Sequence, residues 1–84
     1  MKTYYAYILR SEFKEESKGT LKALLEKAMR KYDGHVSVAE YVPLMFIEIP
    51  ESKIKSTGSL EEELKKEFKW IESLHEAPEV HLIE

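Results

Sequence analysis

Cysteine is absent from this sequence of 84 residues, which excludes disulfides, thiolate nucleophiles and cysteine-based metal sites. Asparagine and glutamine are absent as well, and Asp33 is the only aspartate. Charged residues make up 35% of the chain, against about 25% in typical domains, and most of them are Glu or Lys. This composition is typical of hyperthermophile proteins, so we predict a thermophilic source; a designed sequence, or chance in a short chain, is the alternative.

Long apolar runs are also missing. None approaches the roughly 18 residues of a membrane-spanning helix, and the first residues lack the apolar stretch of a signal peptide, so we expect a cytoplasmic protein with no membrane partner. Charges of both signs are mixed along the chain to a net charge of -3, whereas nucleic-acid binding usually involves a clustered basic patch. At this length we expect one domain, residues 1–84, and no separate cofactor domain.

Candidate catalytic side chains do not converge in the sequence. His35, His75 and His81 fall in different predicted elements and lack the close spacing of a metal motif. The charged run at residues 61–66 is typical of a solvated helix face, and the glycines stand alone, so no phosphate-binding loop is predicted. Because no nucleophile, base and orienting group can be combined, we expect no cofactor, no metal and no enzymatic activity of a monomer.

The first strand, residues 3–9, is predicted from two alternating apolar sets, since strand side chains change face at every residue. The core-facing set is Tyr4, Ala6 and Ile8. The opposite set is Tyr5, Tyr7 and Leu9. One set is enough to build a core. The surplus face is therefore the best indication of a binding surface.

A first amphipathic helix is predicted from apolar residues at three- and four-residue steps. Its stripe consists of Leu21, Leu24, Leu25, Ala28, Met29 and Tyr32. Thr20 or Ser17 is the predicted N-cap. Asp33 and Gly34 end the helix, with glycine expected at the left-handed C-terminal position.

A second helix is predicted to begin at a capping box formed by Ser59 and Glu62 and to end at Ala77 and Pro78. Its stripe consists of Leu60, Leu64, Phe68, Ile71 and Leu74. Trp70 lies off this stripe. Because tryptophan is enriched at interaction hot spots, we include Trp70 among the candidate partner-binding residues; the alternative is a ring folded over the helix edge.

The remaining strands are predicted at residues 35–42, 44–49 and 80–83, with a hairpin turn near Pro43. The order β-α-β-β-α-β predicts an α+β, ferredoxin-like fold with two helices on one face of a four-stranded antiparallel sheet. Strands one and three should occupy the centre. The strand residues expected in the core are Ala6, Ile8, Val36, Val38, Met45, Ile47, Ile49, Val80 and Leu82.

The side of the sheet left open by the helices is the candidate binding surface. The side chains predicted there are Tyr5, Tyr7, Leu9, Leu44, Phe46, His81 and Ile83, and strand two adds Tyr41 if its register continues. Exposed apolar patches larger than a few hundred Å² usually mark interaction sites. The alternative is that these side chains only stabilise a small sheet, at ~0.2–1 kcal/mol for each cross-strand pair.

Three segments resemble the inhibitor I9 family of propeptide-type subtilisin inhibitors. Residues 5–10 (YAYILR) resemble its opening strand, residues 46–51 (FIEIPE) its third strand, and residues 77–84 (APEVHLIE) its closing Pro-x-Val strand. In that family the open sheet face docks on the protease and a C-terminal tail enters the active site. Since this chain stops at Glu84, directly after the last predicted strand, the resemblance implies docking of the sheet face and not insertion of a tail.

Taken together, the sequence predicts a small non-enzymatic interaction or regulatory module, with inhibition as the form that the resemblance implies. It would bind a protein partner, or form a homodimer, through the open sheet face. An RNA- or small-ligand-binding platform on the same face is the alternative. RNA binding needs basic side chains to neutralise phosphate, but Glu48 lies on this face and Arg10 is the only basic residue near its edge. A subunit of an oligomeric enzyme is the third class.

Overall fold

A computed structural model describes residues 2–54 and 56–77 of the chain. Its elements, in chain order, are β1 (Lys2–Ile8), α1 (Lys18–Met29), β2 (His35–Val38), β3 (Leu44–Ile49), α2 (Thr57–Glu67) and β4 (Ile71–Glu76). Short 3-10 helices at Arg30–Tyr32 and Glu51–Lys53 follow α1 and β3. The predicted order of strands and helices is therefore confirmed.

The four strands form one antiparallel sheet in the order β2-β3-β1-β4, with β1 and β3 at the centre. The buried side chains of the strands and of both helices belong to a single hydrophobic cluster. Both helices therefore pack on the same face of the sheet. This α+β arrangement is the ferredoxin-like one that the sequence predicts.

The core follows the alternation of β1 and β3. Tyr4, Ala6 and Ile8 of β1 are buried, and so are Met45 and Ile47 of β3. The other predicted core positions in the described chain behave similarly: Ile49 and Val36 are buried, and Val38 packs against the cluster at partial exposure. At ~25 cal/mol per Å² of buried apolar area, this cluster is the main favourable contribution to folding.

α1 buries one side only. Leu21, Leu25 and Met29 are buried, whereas Leu24 is 44% exposed, which corrects its place in the predicted apolar stripe. Consecutive helical residues are separated by roughly 100° around the axis, so the rotation that buries Leu25 turns Leu24 toward the side.

α1 and α2 are joined by a part-buried cluster at the end of the first helical segment. The hydroxyl of Tyr32 donates to the carboxylate of Glu63, at 2.9 and 2.8 Å from its two oxygens. The ammonium of Lys31 lies 3.1 Å from Glu63 Oε2. Hydrogen bonding to Glu63, together with its charge, raises the pKa of Lys31 because both favour the ammonium form.

The end of α2 is the main correction to the predicted fold. α2 ends at Glu67 and does not continue to Ala77, and β4 (Ile71–Glu76) takes residues that were predicted to be helical. A helix continued to Leu74 would be about 27 Å long at ~1.5 Å per residue. The strands below it are shorter, roughly 20–24 Å at ~3.4 Å per residue. Turning back into the sheet buries Ile71 and Leu74 beside β1, where a longer helix would carry Leu74 past its end.

β2 is shorter than predicted, since it ends at Val38 and residues 39–43 connect it to β3. Pro43 cannot donate a backbone hydrogen bond and stands directly before β3, as expected for a hairpin connection. The predicted last strand at residues 80–83, with Val80 and Leu82 in the core, lies outside the described residues.

The start of α2 differs by a few residues from the prediction. Its N-cap is Ser56, whose Oγ accepts a hydrogen bond of 3.2 Å from the N–H of Ser59. The predicted capping box of Ser59 and Glu62 is therefore wrong, because the helix has already begun at those positions. Ser17 does stand at the N-cap of α1, but its Oγ donates to the carbonyl of Glu12 at 2.8 Å and caps no helical N–H.

The connection from α1 to β2 uses a left-handed residue, but it is Asp33 (φ 54°) and not the predicted Gly34. Gly34 serves a different purpose. A Cβ at this position would lie 3.2 Å from Met29 Cβ and 3.3 Å from the carbonyl oxygens of Met29 and Glu48. Glycine is therefore favoured here by close packing of the backbone.

We predict that Ser56→Ala lowers the free energy of unfolding by about 0.5–2 kcal/mol, because it removes the side-chain acceptor at the start of α2. Ser59→Ala is the matched control, since it keeps the backbone N–H of residue 59 that donates to Ser56 Oγ. Urea unfolding of both variants measures the difference. Equal destabilisation by the two substitutions would contradict the assignment of Ser56 as the cap.

Candidate functional site

The side of the sheet opposite the helices carries every second side chain of the four strands. We call it the open face; its described side chains are Thr3, Tyr5, Tyr7, His35, Ser37, Leu44, Phe46, Glu48, Ser73 and His75. The strand register aligns them in rows. The middle row, from edge to edge, is Ser37, Phe46, Tyr5 and His75.

Three rings pack together on β1 and β4. Tyr5 stacks on His75 with ring centroids 5.2 Å apart, and Tyr7 meets both rings edge-on, at 5.7 Å from Tyr5 and 5.4 Å from His75. Ser73 Oγ lies within hydrogen-bonding distance of the same imidazole, 3.0 Å from His75 Nε2. Such offset and edge-to-face pairs contribute ~0.5–1.5 kcal/mol beyond their buried area.

The apolar surface continues from these rings onto β3. Phe46 lies directly opposite Tyr5 in the register, and Leu44 lies opposite Tyr7. Tyr7 is 39% exposed and Phe46 is 37% exposed, while Leu44 is half-buried. The two central strands therefore present one contiguous apolar patch whose rings are already held in place by their neighbours.

The structure brings together four of the predicted site residues: Tyr5, Tyr7, Leu44 and Phe46. Leu9 follows the end of β1 at the rim, where its N–H donates to the carbonyl of Trp70 at 2.9 Å. His81 and Ile83, which were predicted beside the patch, lie outside the described residues.

Two other candidates do not lie on the open face. Tyr41 is 88% exposed in the hairpin connection, because β2 ends before it. Trp70 lies in the turn between α2 and β4, where it packs against the core with its ring centroid 5.0 Å from that of Phe68. Both interpretations of Trp70 placed it on the second helix, which ends before it at Glu67.

His75 and Ser73 are the site residues that the sequence reasoning missed. Both were placed in the second helix, because Ile71 and Leu74 continue its three- and four-residue spacing. The available signal was weak. Ser73 and His75 are separated by two positions, as residues on one face of a strand are, but no Gly or Pro marks the turn that precedes β4.

Charge on the open face is sparse. Glu48 is half-buried and lies between His35 and Thr3 in the outer row. An ion pair lies on the helix side of the sheet, where Lys2 Nζ is 2.8 Å from Glu76 Oε1. The hydroxyl of Thr57 also donates to Glu76, at 3.2 Å. The hydrogen bond that the Lys2 ammonium donates to Glu76 lowers the pKa of Glu76 and raises the pKa of Lys2.

Within residues 2–54 and 56–77, no group of three or more His, Cys, Asp or Glu side chains is placed to hold a metal ion. In the same part of the chain, no helix has the length and apolar character needed to cross a bilayer. The arrangement on the open face is suited to contact by apolar burial and ring packing.

Comparison with protein-family models finds no match, and no curated protein matches the chain. The likeness to the inhibitor I9 family therefore stays a prediction from the sequence.

We predict that the Lys2–Glu76 pair adds stability that is present above about pH 4.5 and is lost as the pH falls through the lowered pKa of Glu76. The sign follows because the folded state binds the Glu76 proton less readily than the unfolded state does. Urea unfolding of Glu76→Gln at several pH values should show a deficit against the native sequence near neutral pH that shrinks in acid. Glu72→Gln, at an exposed position of the same strand, is the control. A deficit independent of pH would contradict this prediction.

Proposed function

We propose that this chain is a small non-enzymatic interaction module that docks a protein partner, or a second copy of itself, on the open face. The observation that carries the proposal is the contiguous patch of Tyr5, Tyr7, Leu44 and Phe46 on the two central strands. These residues are not needed to fill the core, because Tyr4, Ala6 and their neighbours already fill it from the other side of the same strands.

The patch has the physical properties of a docking surface. Burial of its apolar area gains ~25 cal/mol per Å² before the cost of association is subtracted. That cost is reduced because Tyr5, Tyr7 and His75 restrain one another before any partner arrives. Tyrosine also supplies a large contact area with only two rotatable side-chain angles.

We further propose a regulatory role, inhibition of a partner enzyme being the form that the I9-like segments suggest. Support comes from the ferredoxin-like sheet with its open face and from the resemblance of residues 5–10 and 46–51 to strands of that family. A cytoplasmic location and a thermophilic source remain proposals from composition.

We predict that the double substitution Tyr7→Ser and Phe46→Ser weakens partner binding by at least about tenfold, because it removes the two most exposed rings of the patch. The free energy of unfolding should fall by no more than about 2 kcal/mol, since neither ring is part of the core. Affinity capture from the native host, compared with urea unfolding of the same variant, measures both effects.

Leu24→Ser is the matched control for this experiment. It removes a side chain of comparable exposure, 44%, from the helix side of the molecule. A partner retained by Leu24→Ser and lost by the double variant supports docking on the open face. Loss of folding in the double variant would instead show that the patch is structural, and an unchanged set of partners would place the interaction elsewhere.

We predict that single-stranded RNA does not bind. Aromatic side chains on central strands can stack on bases, but such sites also need basic residues to neutralise phosphate, and the open face carries Glu48. Titration of a labelled oligouridylate at low salt, followed by fluorescence anisotropy, tests this. Binding that is lost on Tyr5→Ser would support the RNA platform in place of protein docking.

A further inference from the structure

The two edges of the sheet differ in how their outward backbone groups are treated. On β4 the N–H of Leu74 points away from β1 and donates to the carboxylate of Glu61 on α2, at 2.8 Å. The Glu61 side chain of α2 thus occupies an outward donor of this edge, and such cover is one way that proteins prevent an exposed strand from pairing with another chain.

The β2 edge has no such cover. The N–H of Ala39 donates to the carbonyl of Leu44 at 3.0 Å, so alternate residues of β2 bond to β3, and Val36 and Val38 point their backbone groups outward. No side chain or backbone group among residues 2–54 and 56–77 bonds to those of Val36 or Val38 on the outer side. β2 therefore offers free donors and acceptors for one more strand.

A groove lies beside this edge, between the first turn of α1 and the end of β2. It is a concavity of about 390 Å³ lined by Lys18, Gly19, Lys22, Val38, Ala39 and Glu40. A Cβ at Gly19 would meet no atom within 4 Å, so the groove is open at that wall.

One of the two lysines in the groove is available to pair with a carboxylate. Lys18 is paired with Glu15 at 3.1 Å and also donates to the carbonyl of Glu40 at 3.4 Å. Lys22 is half-buried, and its ammonium has no ion-pair partner in the described part of the chain. A strand added along β2 would complete this site if it carried apolar side chains and a carboxylate on its helix-facing side.

The sequence contains such a segment in addition to the four strands of the sheet. Residues 79–84 read EVHLIE, and this segment lies outside the described residues. Its alternation would place Val80, Leu82 and Glu84 on one side of a strand. That side matches the apolar floor at Val38 and the ammonium of Lys22.

The same chain cannot supply this strand to its own β2. The N–H of Ala77 bonds to the carbonyl of Thr3, so the chain leaves the sheet beside β1 on the β4 side. A position outside β2 is four strand spacings from β4, or roughly 19 Å. The chain from Ala77 to Val80 spans only about 10 Å when fully extended.

We infer that residues 79–84 of a second copy add as a fifth strand along the outer edge of β2, with Glu84 paired to Lys22. The backbone groups of Val36 and Val38 then gain hydrogen-bond partners, and Val80 and Leu82 fill the groove. His81 and Ile83 lie on the other side of the added strand and extend the open face of the copy that receives them.

The test is the mass of the full chain by light scattering over a range of protein concentrations. The native sequence should associate, and Lys22→Glu should weaken association by about tenfold or more, because a carboxylate pair replaces an ion pair. Lys65→Glu makes the same charge change on the exposed end of α2 and should leave association unchanged. Combining Lys22→Glu with Glu84→Lys should restore it.

Gly19→Leu provides a second variant that is not based on charge. It fills the groove from an open wall and improves the helix propensity of α1, so it should weaken association without lowering the thermal stability. A native chain that stays monomeric at every concentration would overturn the inference. So would association that survives both Lys22→Glu and Gly19→Leu.

The same measurement distinguishes association along β2 from docking on the open face. Tyr7→Ser with Phe46→Ser should leave this self-association in place, since neither side chain lines the groove. If the double variant is monomeric and Lys22→Glu still associates, the copies meet through the open face and the added strand is wrong.

Discussion

The structure depends on one constraint, which is that two helices can cover only one face of a four-stranded sheet. A strand that fills the core with Tyr4, Ala6 and Ile8 must send Tyr5 and Tyr7 to the other side. On an outer strand those positions could be polar at little cost. On the two central strands they have neighbours on both sides, so aromatic and aliphatic side chains there necessarily form a continuous surface.

α2 does more than shield the core, because its carboxylates also accept hydrogen bonds from groups outside the helix. Glu63 accepts from the hydroxyl of Tyr32, and Glu61 accepts from the backbone of Leu74 in β4. Charge-assisted hydrogen bonds of this kind contribute roughly 1.5–3 kcal/mol each. Two glutamates of a run that resembles an ordinary solvated helix face therefore connect the segment after α1 and strand β4 to the same helix.

Most of the fold could be predicted from periodicity, because β1, β3 and α1 each bury one regular set of side chains. β3 is found at the predicted residues, Leu44–Ile49, bounded by two prolines. β4 could not be predicted, since Ile71 and Leu74 satisfy the helical spacing of α2 and no Gly or Pro marks the turn before β4. Because residues 71–76 were predicted to be helical, His75 was not included in the candidate site. Tyr41 was misplaced for a related reason, as a strand signal does not specify where pairing stops.

The stack of Tyr5 on His75 makes the open face dependent on the completion of folding. The two rings come from the first and the last described strands, so they meet only after β4 has docked beside β1. Contacts between such distant parts of the chain carry a larger loop-closure entropy cost than local contacts do. A partner that binds this surface would therefore distinguish the finished domain from a chain whose last strand has not docked, and its binding would stabilise the finished form by mass action.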